Sequence, residues 1–300
     1  MKNSFPLLTR RSFLAASAAL PAAIAARSPL NAFAADQSAS QSDKKLPIGL
    51  ELYSVRNELS RDLPNTLKTV AKMGYEVVEF YSPYFKWTPA YAKDVRAQMD
   101  DLGLRCYSTH NGFESFTPGE NMAHAIELNQ ILGTRYIVLA SASGRNGLDG
   151  WKKLCEELTT AVEQLKPHGL KAGYHNHQAE WAKLDNGQRI IEVIAANTPA
   201  EFALQLDVGT CEEAKADPVA WVKANPGRIK MMHLKDWAPG DKGYHVLFAE
   251  GITPWKDLLA AAESVGGAEF FLIEQEGSRF SEFETAKRCL DTWKTMFRKT

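Results

Sequence analysis

The stretch FALQLDVGTCEEAKADPVAWVKANPGRIKMMHLK, residues 202–235, contains the unit that decides the fold. Its apolar runs at 202–207 and 228–235 predict two β-strands, because each run is short and bounded by turn residues. Between them, Asp217 and Pro218 predict the start of a helix, since an N-cap residue is followed by proline in the first turn. A strand, a helix and a second strand in this order are typical of a parallel βαβ unit.

The same alternation runs through the chain from residue 47 onward. Short apolar runs predict strands at 47–53, 75–81, 104–110, 134–140, 170–176, 202–207, 228–235 and 269–275. Helical patterns fill the gaps at 62–74, 88–103, 119–133, 149–168, 187–197, 217–225, 253–266 and 281–298. Eight strand–helix units predict an α/β domain over residues 46–300 that is a closed (β/α)8 TIM barrel. An open doubly wound sheet is the alternative, but no first turn carries the GxGxxG phosphate loop.

The first 35 residues are predicted to be an export signal that does not belong to the fold. TRRSFL at 9–14 is a twin-arginine pattern, an Ala-rich apolar run extends to residue 26, and AFA at 32–34 offers a small-x-small cleavage site. Residues 36–45 would then be a flexible leader. An uncleaved membrane anchor is the alternative, although the run is short for a span of ~20 residues. The signal predicts a periplasmic or secreted protein exported by the twin-arginine route.

The net charge bears on the class of partner, and the cysteine spacing bears on disulfide formation. The chain has 35 basic and 36 acidic residues and a net charge of −1, which predicts neither a nucleic-acid partner nor a stable membrane partner. A homo-oligomer is left open. The four cysteines show no CxxC spacing and are predicted to be free or buried thiols. They are Cys106, Cys155, Cys211 and Cys289.

Ionisable side chains close most of the predicted strands, at the end where TIM-barrel active sites lie. They are Glu51, Glu79, His110, His175, His177, Asp207, His233 and Glu274. Burying so many charged groups without partners would cost several kcal/mol each, so packing alone does not explain them. The mouth of the barrel at these strand ends is therefore predicted to be the functional site.

Three of these side chains predict a divalent-metal site, because Asp207, His233 and Glu274 end consecutive apolar strands. For Asp207, capping of the next helix is the alternative. On the fifth strand His175 and His177 share a face and either could ligate, with His175 as the first candidate. Glu180 could also reach back from the loop that follows. Carboxylate and imidazole ligands suit Mn²⁺, Mg²⁺, Co²⁺ or Zn²⁺. The cysteine spacing excludes a zinc site with three or more thiolates.

These residues carry a resemblance to the xylose isomerase-like TIM barrels, the sugar phosphate isomerase/epimerase superfamily, over residues 46–300. The motifs are LYSVR at 52–56, KMGYEVVEF at 72–80, His110, YHNH at 174–177, LDVG at 206–209, HLKD at 233–236 and EQE at 274–276. In that family a Glu, an Asp, a His and a second Glu from strands five to eight typically hold the metal. The resemblance therefore implies Asp207, His233 and Glu274 as ligands. The chain departs at the first position, where His175 replaces the glutamate of many relatives.

The resemblance also implies an activity: removal of a proton next to the carbonyl of a sugar or keto-sugar. The candidate bases are Glu274, Glu180 and His177. Lys235 would bind a hydroxyl or polarise the carbonyl, unless it is a strand-end lysine paired with Asp236. Epimerases of the family are described as using two metal-bound glutamates as an acid/base pair, so the histidine on strand five leaves a two-carboxylate mechanism in doubt.

A further set of residues is predicted to bind the substrate, a small-molecule carbohydrate. Aromatic rings at the strand ends would pack against the apolar faces of a sugar, although lid or core packing is the alternative. Glu79 is a candidate for orienting His110 or a substrate hydroxyl. The whole predicted set is His110, Glu79, Tyr53, Trp181 and Trp237.

The main functional expectation is therefore a metal-dependent sugar isomerase or epimerase. A keto-glycoside lyase or dehydratase of the same superfamily is one alternative. A non-catalytic carbohydrate-binding barrel is another, and the presence of Asp207, His233 and Glu274 argues against it. A nucleic-acid-repair endonuclease, whose family shares this barrel, is disfavoured by the neutral charge and the predicted export.

Overall fold

A computed structural model describes residues 45–297, so the predicted signal and almost all of the predicted leader lie outside the described residues. Eight parallel strands close into a barrel in sequence order. They are β1 Ile48–Glu51, β2 Val77–Phe80, β3 Arg105–Asn111, β4 Tyr136–Leu139, β5 Lys171–His175, β6 Ala203–Asp207, β7 Met231–Leu234 and β8 Phe270–Ile273. The predicted TIM barrel is confirmed.

Ten α-helices lie within residues 45–297, and eight of them match the predicted helices. They are α1 Arg56–Arg61, α2 Leu63–Met73, α3 Pro89–Asp101, α4 Glu120–Leu132, α5 Gly147–Leu165, α6 Ile190–Asn197, α7 Val208–Glu213, α8 Pro218–Ala224, α9 Trp255–Ala261 and α10 Glu282–Phe297. The two that sequence analysis missed are the short helices α1 and α7, which follow β1 and β6. In this part of the chain no helix is long and apolar enough to cross a membrane.

Local signals explain where the larger helices begin and end. The Asp217 carboxylate accepts hydrogen bonds from the backbone N–H groups of Val219 and Ala220, so α8 begins at the predicted cap. Gly74 ends α2 with φ 98° and Gly133 ends α4 with φ 76°, a left-handed conformation that favours glycine.

The interior of the barrel changes from apolar to polar along the strands. Side chains two positions apart share a face of a strand, so an inward face that is apolar along the strand can end in an inward polar residue. On β8, for example, Phe270 and Leu272 point inward and Glu274 continues the same face. A closed apolar cluster fills the lower barrel with Val77, Tyr136, Val138, Ala203, Met231, Phe270 and Leu272. The polar groups therefore collect above this floor, at the carboxyl ends of the strands.

The cysteines take no part in this polar end. Cys106, Cys155, Cys211 and Cys289 are all buried and unpaired, as predicted. Burial raises the pKa of each thiol, which keeps these side chains protonated and apolar.

Candidate metal centre

The carboxyl ends of the strands bring most of the predicted site residues together in one buried cluster. Three groups of side chains place one ligand atom each within 4.8 Å of the others: His175, Asp207 and Glu274; His110, His175 and His233; and Glu51, Glu79 and His110. Every one of these residues is buried. The prediction that strand ends converge on one point is therefore matched by the geometry.

Asp207 combines both roles that the sequence left open. Its Oδ1 accepts a hydrogen bond of 3.0 Å from the backbone N–H of Thr210, which makes it the N-cap of α7. Its Oδ2 is buried and has no hydrogen-bond partner, and it lies 3.8 Å from His175 Nε2. Burial raises the pKa of Asp207, and the nearby Lys235 ammonium opposes that effect. A buried carboxylate oxygen without a partner is costly, so Oδ2 is a strong candidate ligand atom.

His175 is the second side chain with an unsatisfied polar atom in this cluster. Its Nδ1 is buried and has no hydrogen-bond partner. Its ring contacts those of His110 and His233, with centroids 4.6 and 4.5 Å away. Burial lowers the pKa of His175, and the charges of the neighbouring histidines lower it further. His175 is therefore a neutral imidazole, the form that ligates a metal ion.

His233 connects two carboxylates, one at the end of the neighbouring strand β8 and one on β2. Its Nδ1 lies 2.8 Å from Glu274 Oε2, and its Nε2 lies 2.6 Å from Glu79 Oε1. Burial would lower the pKa of His233, but the two carboxylates raise it well above its usual value. A histidine that ligates a metal commonly donates its other N–H to a carboxylate, and Glu79 is placed to accept from His233 in that way.

Glu79 is fully hydrogen-bonded and fully buried. Its Oε1 also lies 3.2 Å from His110 Nε2, and its Oε2 accepts hydrogen bonds from Ser108 and Gln205. Burial would raise the pKa of Glu79, but the charges of His110 and His233 and the hydrogen bonds from His233 and Ser108 lower it to about 2. The geometry agrees with the predicted role of Glu79 in orienting His110, and adds His233 as a partner that sequence analysis missed.

Lys235 faces the same carboxylates. Its Nζ is paired with Glu276 and lies 3.6 Å from Asp207 Oδ2 and 3.9 Å from Glu274 Oε2. The side chain also lies 4.9 Å from the centroid of the Tyr244 ring. Burial would lower the pKa of Lys235, but Glu274 and Asp207 raise it well above its usual value, so the group is a buried ammonium.

The alternative that Lys235 merely pairs with Asp236 is wrong. The Asp236 carboxylate accepts hydrogen bonds from the backbone N–H groups of Trp237 and Gly251, the Thr253 hydroxyl and the Trp255 indole. These four bonds hold the loop between β7 and α9.

Glu180 lies in a different environment from the cluster. Its Oε1 accepts a hydrogen bond of 2.9 Å from the Tyr174 hydroxyl, and its Oε2 accepts one of 2.8 Å from the backbone N–H of His177. Among residues 45–297, none of the three ligand groups includes it. Glu180 thus has the contacts of a residue that stabilises the turn Gln178–Trp181. The geometry favours His175 at the fifth-strand position, and a role for Glu180 as base stays a prediction.

Two further histidines, His177 and His110, lie beside the proposed ligands, and His110 belongs to two of the three groups. The His177 ring packs edge-on against the His175 ring with centroids 4.8 Å apart, and His177 is only half-buried. His110 stacks on His233, and its Nε2 lies 2.6 Å from Gln205 Oε1. Burial lowers the pKa of His110. Gln205 was missed by sequence analysis, although it and Asp207 are the two polar residues of β6 and share one face of the strand.

The three predicted substrate-binding aromatic residues have separate environments. Trp181 is buried in the core, and its ring packs edge-on against Trp221 at 5.4 Å, which corresponds to the core-packing alternative. Tyr53 is 38% exposed and lies beneath the guanidinium of Arg56. Trp237 lines a groove between α8 and α9. The expectation that all three rings surround one site is therefore wrong for Trp181.

The donor set fits a divalent metal ion. His175, Asp207, His233 and Glu274 supply imidazole nitrogens and carboxylate oxygens, the ligand types of such ions. Two of these residues also carry buried polar atoms without a partner, Asp207 Oδ2 and His175 Nδ1. The other ring nitrogen of His175, Nε2, is the one that lies 3.8 Å from Asp207 Oδ2, so an ion held by these two side chains would satisfy Oδ2.

Comparisons with known proteins point to one family. Its sequence profile, described as xylose isomerase-like TIM barrel, matches residues 67–296. A solved structure of a sugar phosphate isomerase/epimerase from Parabacteroides distasonis ATCC 8503 has a TM-score of 0.71 and 26% sequence identity, and covers 87% of this chain and 97% of that chain. A search of curated protein sequences finds no significant match.

Two more distant solved structures share the fold. D-psicose 3-epimerase, in the presence of D-fructose, has a TM-score of 0.61 and 12% identity, and covers 85% of this chain and 100% of that chain. The IOLI protein, with a binding zinc atom, has a TM-score of 0.63 and 16% identity, with the same coverage. At such low identity the likeness shows the fold alone.

Proposed function

Because this chain belongs to the xylose isomerase-like TIM barrel family, we propose that it is a divalent-metal-dependent enzyme that removes a proton next to the carbonyl of a sugar or keto-sugar. One observation carries the proposal: His175, Asp207 and Glu274 place ligand atoms within 4.8 Å of one another, and two of these residues have buried polar atoms without partners. A sugar phosphate isomerase/epimerase at 26% identity supports the same chemistry.

His175, Asp207, His233 and Glu274 would hold the ion, with Glu79 orienting His233 from behind. A divalent ion bound there would supply the positive charge that polarises a substrate carbonyl. Mn²⁺, Mg²⁺, Co²⁺ and Zn²⁺ all suit these ligands, and zinc is present in one fold neighbour.

Glu274 is the best-placed base. Burial would raise its pKa, but the charges of Lys235 and His233 lower it far below the usual value, so the carboxylate is ionised. Its Oε2 lies 3.9 Å from Lys235 Nζ, which places an ammonium beside the carboxylate that takes the proton. Lys235 would bind a substrate oxygen and stabilise negative charge on it. His177 is half-buried beside His175 and would return or donate a proton at the rim of the site.

A keto-glycoside lyase or dehydratase is the second candidate, and one observation favours it. The fifth strand offers the neutral imidazole of His175, while Glu180 is hydrogen-bonded to Tyr174 and His177. Only one side of a bound sugar would then face a basic carboxylate. Proton removal from one side, followed by loss of a leaving group, suits that asymmetry better than epimerisation does. Export by the twin-arginine route belongs to the same proposal, with a substrate met in the periplasm or outside the cell.

The test is a substrate screen in D₂O followed by NMR. Protein loaded with Mn²⁺, Mg²⁺, Co²⁺ or Zn²⁺ is incubated with ketoses, aldoses and 3-keto-glycosides, with chelated protein as the control. Deuterium incorporation next to a carbonyl would indicate an isomerase or epimerase, and loss of an aglycone would indicate a lyase. If metal binds and no substrate exchanges or breaks down, the chain is a carbohydrate-binding barrel without catalysis.

A further inference from the structure

A groove of about 1040 Å³ lies on the helical layer between α8 and α9. It is separate from the metal centre, because none of the candidate ligands lines it. Its walls include Trp237, Ile252 and Pro254 together with the carboxylates of Glu212, Asp217 and Asp257. The groove thus combines one large aromatic ring with several hydrogen-bonding groups.

Trp237 lines this groove and is half-buried. The backbone is fixed on both sides, because the Trp237 N–H donates to Asp236 and its carbonyl accepts from the N–H of Ile252. The ring itself pairs with no other aromatic ring among the described residues, and its indole N–H donates no hydrogen bond to them. Trp181 and Trp255, by contrast, are buried against other rings. Trp237 therefore has an apolar face and a donor left for a ligand.

Glu212 also lines this groove. It lies in the last turn of α7, is half-buried, and its carboxyl group has no hydrogen bond or ion pair with any of residues 45–297. Burial raises the pKa of Glu212 to about 7, and the charges of Asp236 and Asp217 contribute. A half-buried carboxyl with negative neighbours is stabilised by a ligand that donates hydrogen bonds to it and carries no negative charge.

We propose that this groove is a second saccharide-binding site, with one sugar ring stacked on Trp237 and its hydroxyl groups hydrogen-bonded to Glu212. A sugar offers an apolar C–H face and several hydroxyl donors, which matches an aromatic ring beside a partnerless carboxyl. Lys215 and Lys223 balance part of the acidic lining, so the groove carries no single-sign field that would select a charged polymer. The proposal rests on the proposed function only for the choice of carbohydrate as ligand.

A proline-rich peptide is the competing occupant, since such peptides also dock in aromatic-lined grooves. Its prolines lack N–H groups, however, so it offers mainly acceptors. The Glu212 carboxyl needs donors, which a saccharide supplies through every free hydroxyl. The observations therefore favour the saccharide.

The test uses full-length protein labelled with 5-fluorotryptophan, with the Trp237 resonance assigned from the Trp237→Phe variant. We expect maltose, cellobiose or methyl β-galactoside to shift this resonance saturably in ¹⁹F NMR. Glu212→Ala should weaken binding at least fivefold. Glu263→Ala is the matched control, because burial also raises the pKa of Glu263, and this residue lies outside the groove. Thermal melts check that each variant is folded.

Three results would overturn the proposal: no saturable shift with any of the three sugars, an unchanged affinity in Glu212→Ala, or a shift with a polyproline peptide alone. Asp207→Asn separates the two proposals. It should lose metal while the Trp237 shift with sugar persists. Saccharide binding in the groove can therefore be tested even if the metal centre has no function. Absence of binding in the groove would not contradict the proposed metal centre.

Discussion

His233 and Glu79 form a hydrogen bond across the inside of the barrel, with 2.6 Å between His233 Nε2 and Glu79 Oε1. The two residues belong to β7 and β2, which are not neighbours in the sheet. Both side chains are completely buried. The bond fixes the orientation of the ring, so that Nδ1 faces Glu274 and the proposed metal position.

The first prediction follows from this bond. Glu79→Gln keeps the shape of the side chain and removes the charge that orients His233. We expect the affinity for Zn²⁺ or Mn²⁺ to fall by about 10- to 100-fold, the usual effect of removing the partner of a metal-bound histidine. Competition with a chelator measures the change. Tyr53→Phe, which alters an exposed side chain, is the control, and an unchanged affinity in Glu79→Gln would show that Glu79 does not support the site.

The second prediction separates the two roles of Asp207. Asp207→Asn keeps an N-cap for α7 but loses the charged Oδ2, whereas Asp207→Ala loses both. Both variants should lose bound metal and activity. Only Asp207→Ala should lose about 1 kcal/mol of stability from the missing cap, measured by denaturant unfolding of metal-stripped protein. His233→Ala and Glu274→Ala should also lose metal. Full metal occupancy in all of these variants would refute the ligand assignment.

The site residues that could be predicted from the sequence are those whose direction follows from the alternation of side chains along a strand. Asp207, His233 and Glu274 each continue the inward face of an apolar strand, and alternation along a strand makes that direction readable from the sequence. Eight such strands with intervening helices also gave the closed barrel. The apolar floor of the barrel follows from the same alternation.

What could not be predicted depends on pairing across the closed barrel. Nothing near Glu79 in the sequence indicates that it meets His233, because the two lie 154 positions apart. The contacts of Glu180 could not be predicted for a different reason. Its partners Tyr174 and His177 are close in sequence, but only the geometry of the turn brings them to its carboxylate. Helix α7 is also hard to predict, because it has only six residues and begins directly after the strand-end residue Asp207.

The third prediction concerns acid stability. The folded-state pKa of Glu79 is lowered from 4.5 to about 2, so its ionised form stabilises the fold above pH 4.5. That contribution is lost as the pH falls from 4.5 through 2. A shift of this size corresponds to roughly 3 kcal/mol. In metal-stripped protein, the difference in unfolding free energy between the unmodified chain and Glu79→Gln should therefore shrink over this range. A difference that stays constant between pH 6 and pH 2 would contradict the prediction.

The fourth prediction concerns export, for which the N-terminal pattern is the basis. Replacing both Arg10 and Arg11 by lysine should leave the precursor in the cytoplasm, because the twin-arginine pair is the recognised signal. Cell fractionation measures the distribution. N-terminal sequencing of exported protein should find a start near Ala35 or Asp36. Normal export of the double-lysine variant would show that another signal directs the protein.

The last prediction tests the position where the chain departs from its family. We expect His175 to ligate the metal as a neutral imidazole, because burial and the adjacent histidines lower its pKa. A neutral ligand leaves the ion more electropositive than a carboxylate would, and it removes a basic oxygen from one side of the substrate. His175→Glu should therefore keep the metal and shift product formation from elimination towards isomerisation or epimerisation, as measured by NMR in D₂O.

Glu180→Gln, compared with His175→Gln, decides whether His175 or Glu180 is the fourth metal ligand. Since Glu180 is bound to Tyr174 and the His177 backbone, this variant should keep the metal and lose part of the stability of the turn. His175→Gln should instead lower metal affinity about tenfold or more, because it removes an imidazole ligand. If Glu180→Gln released the ion and His175→Gln retained it, Glu180 would be the fourth ligand. Two carboxylates would then flank the substrate, and an epimerase mechanism would become the better account.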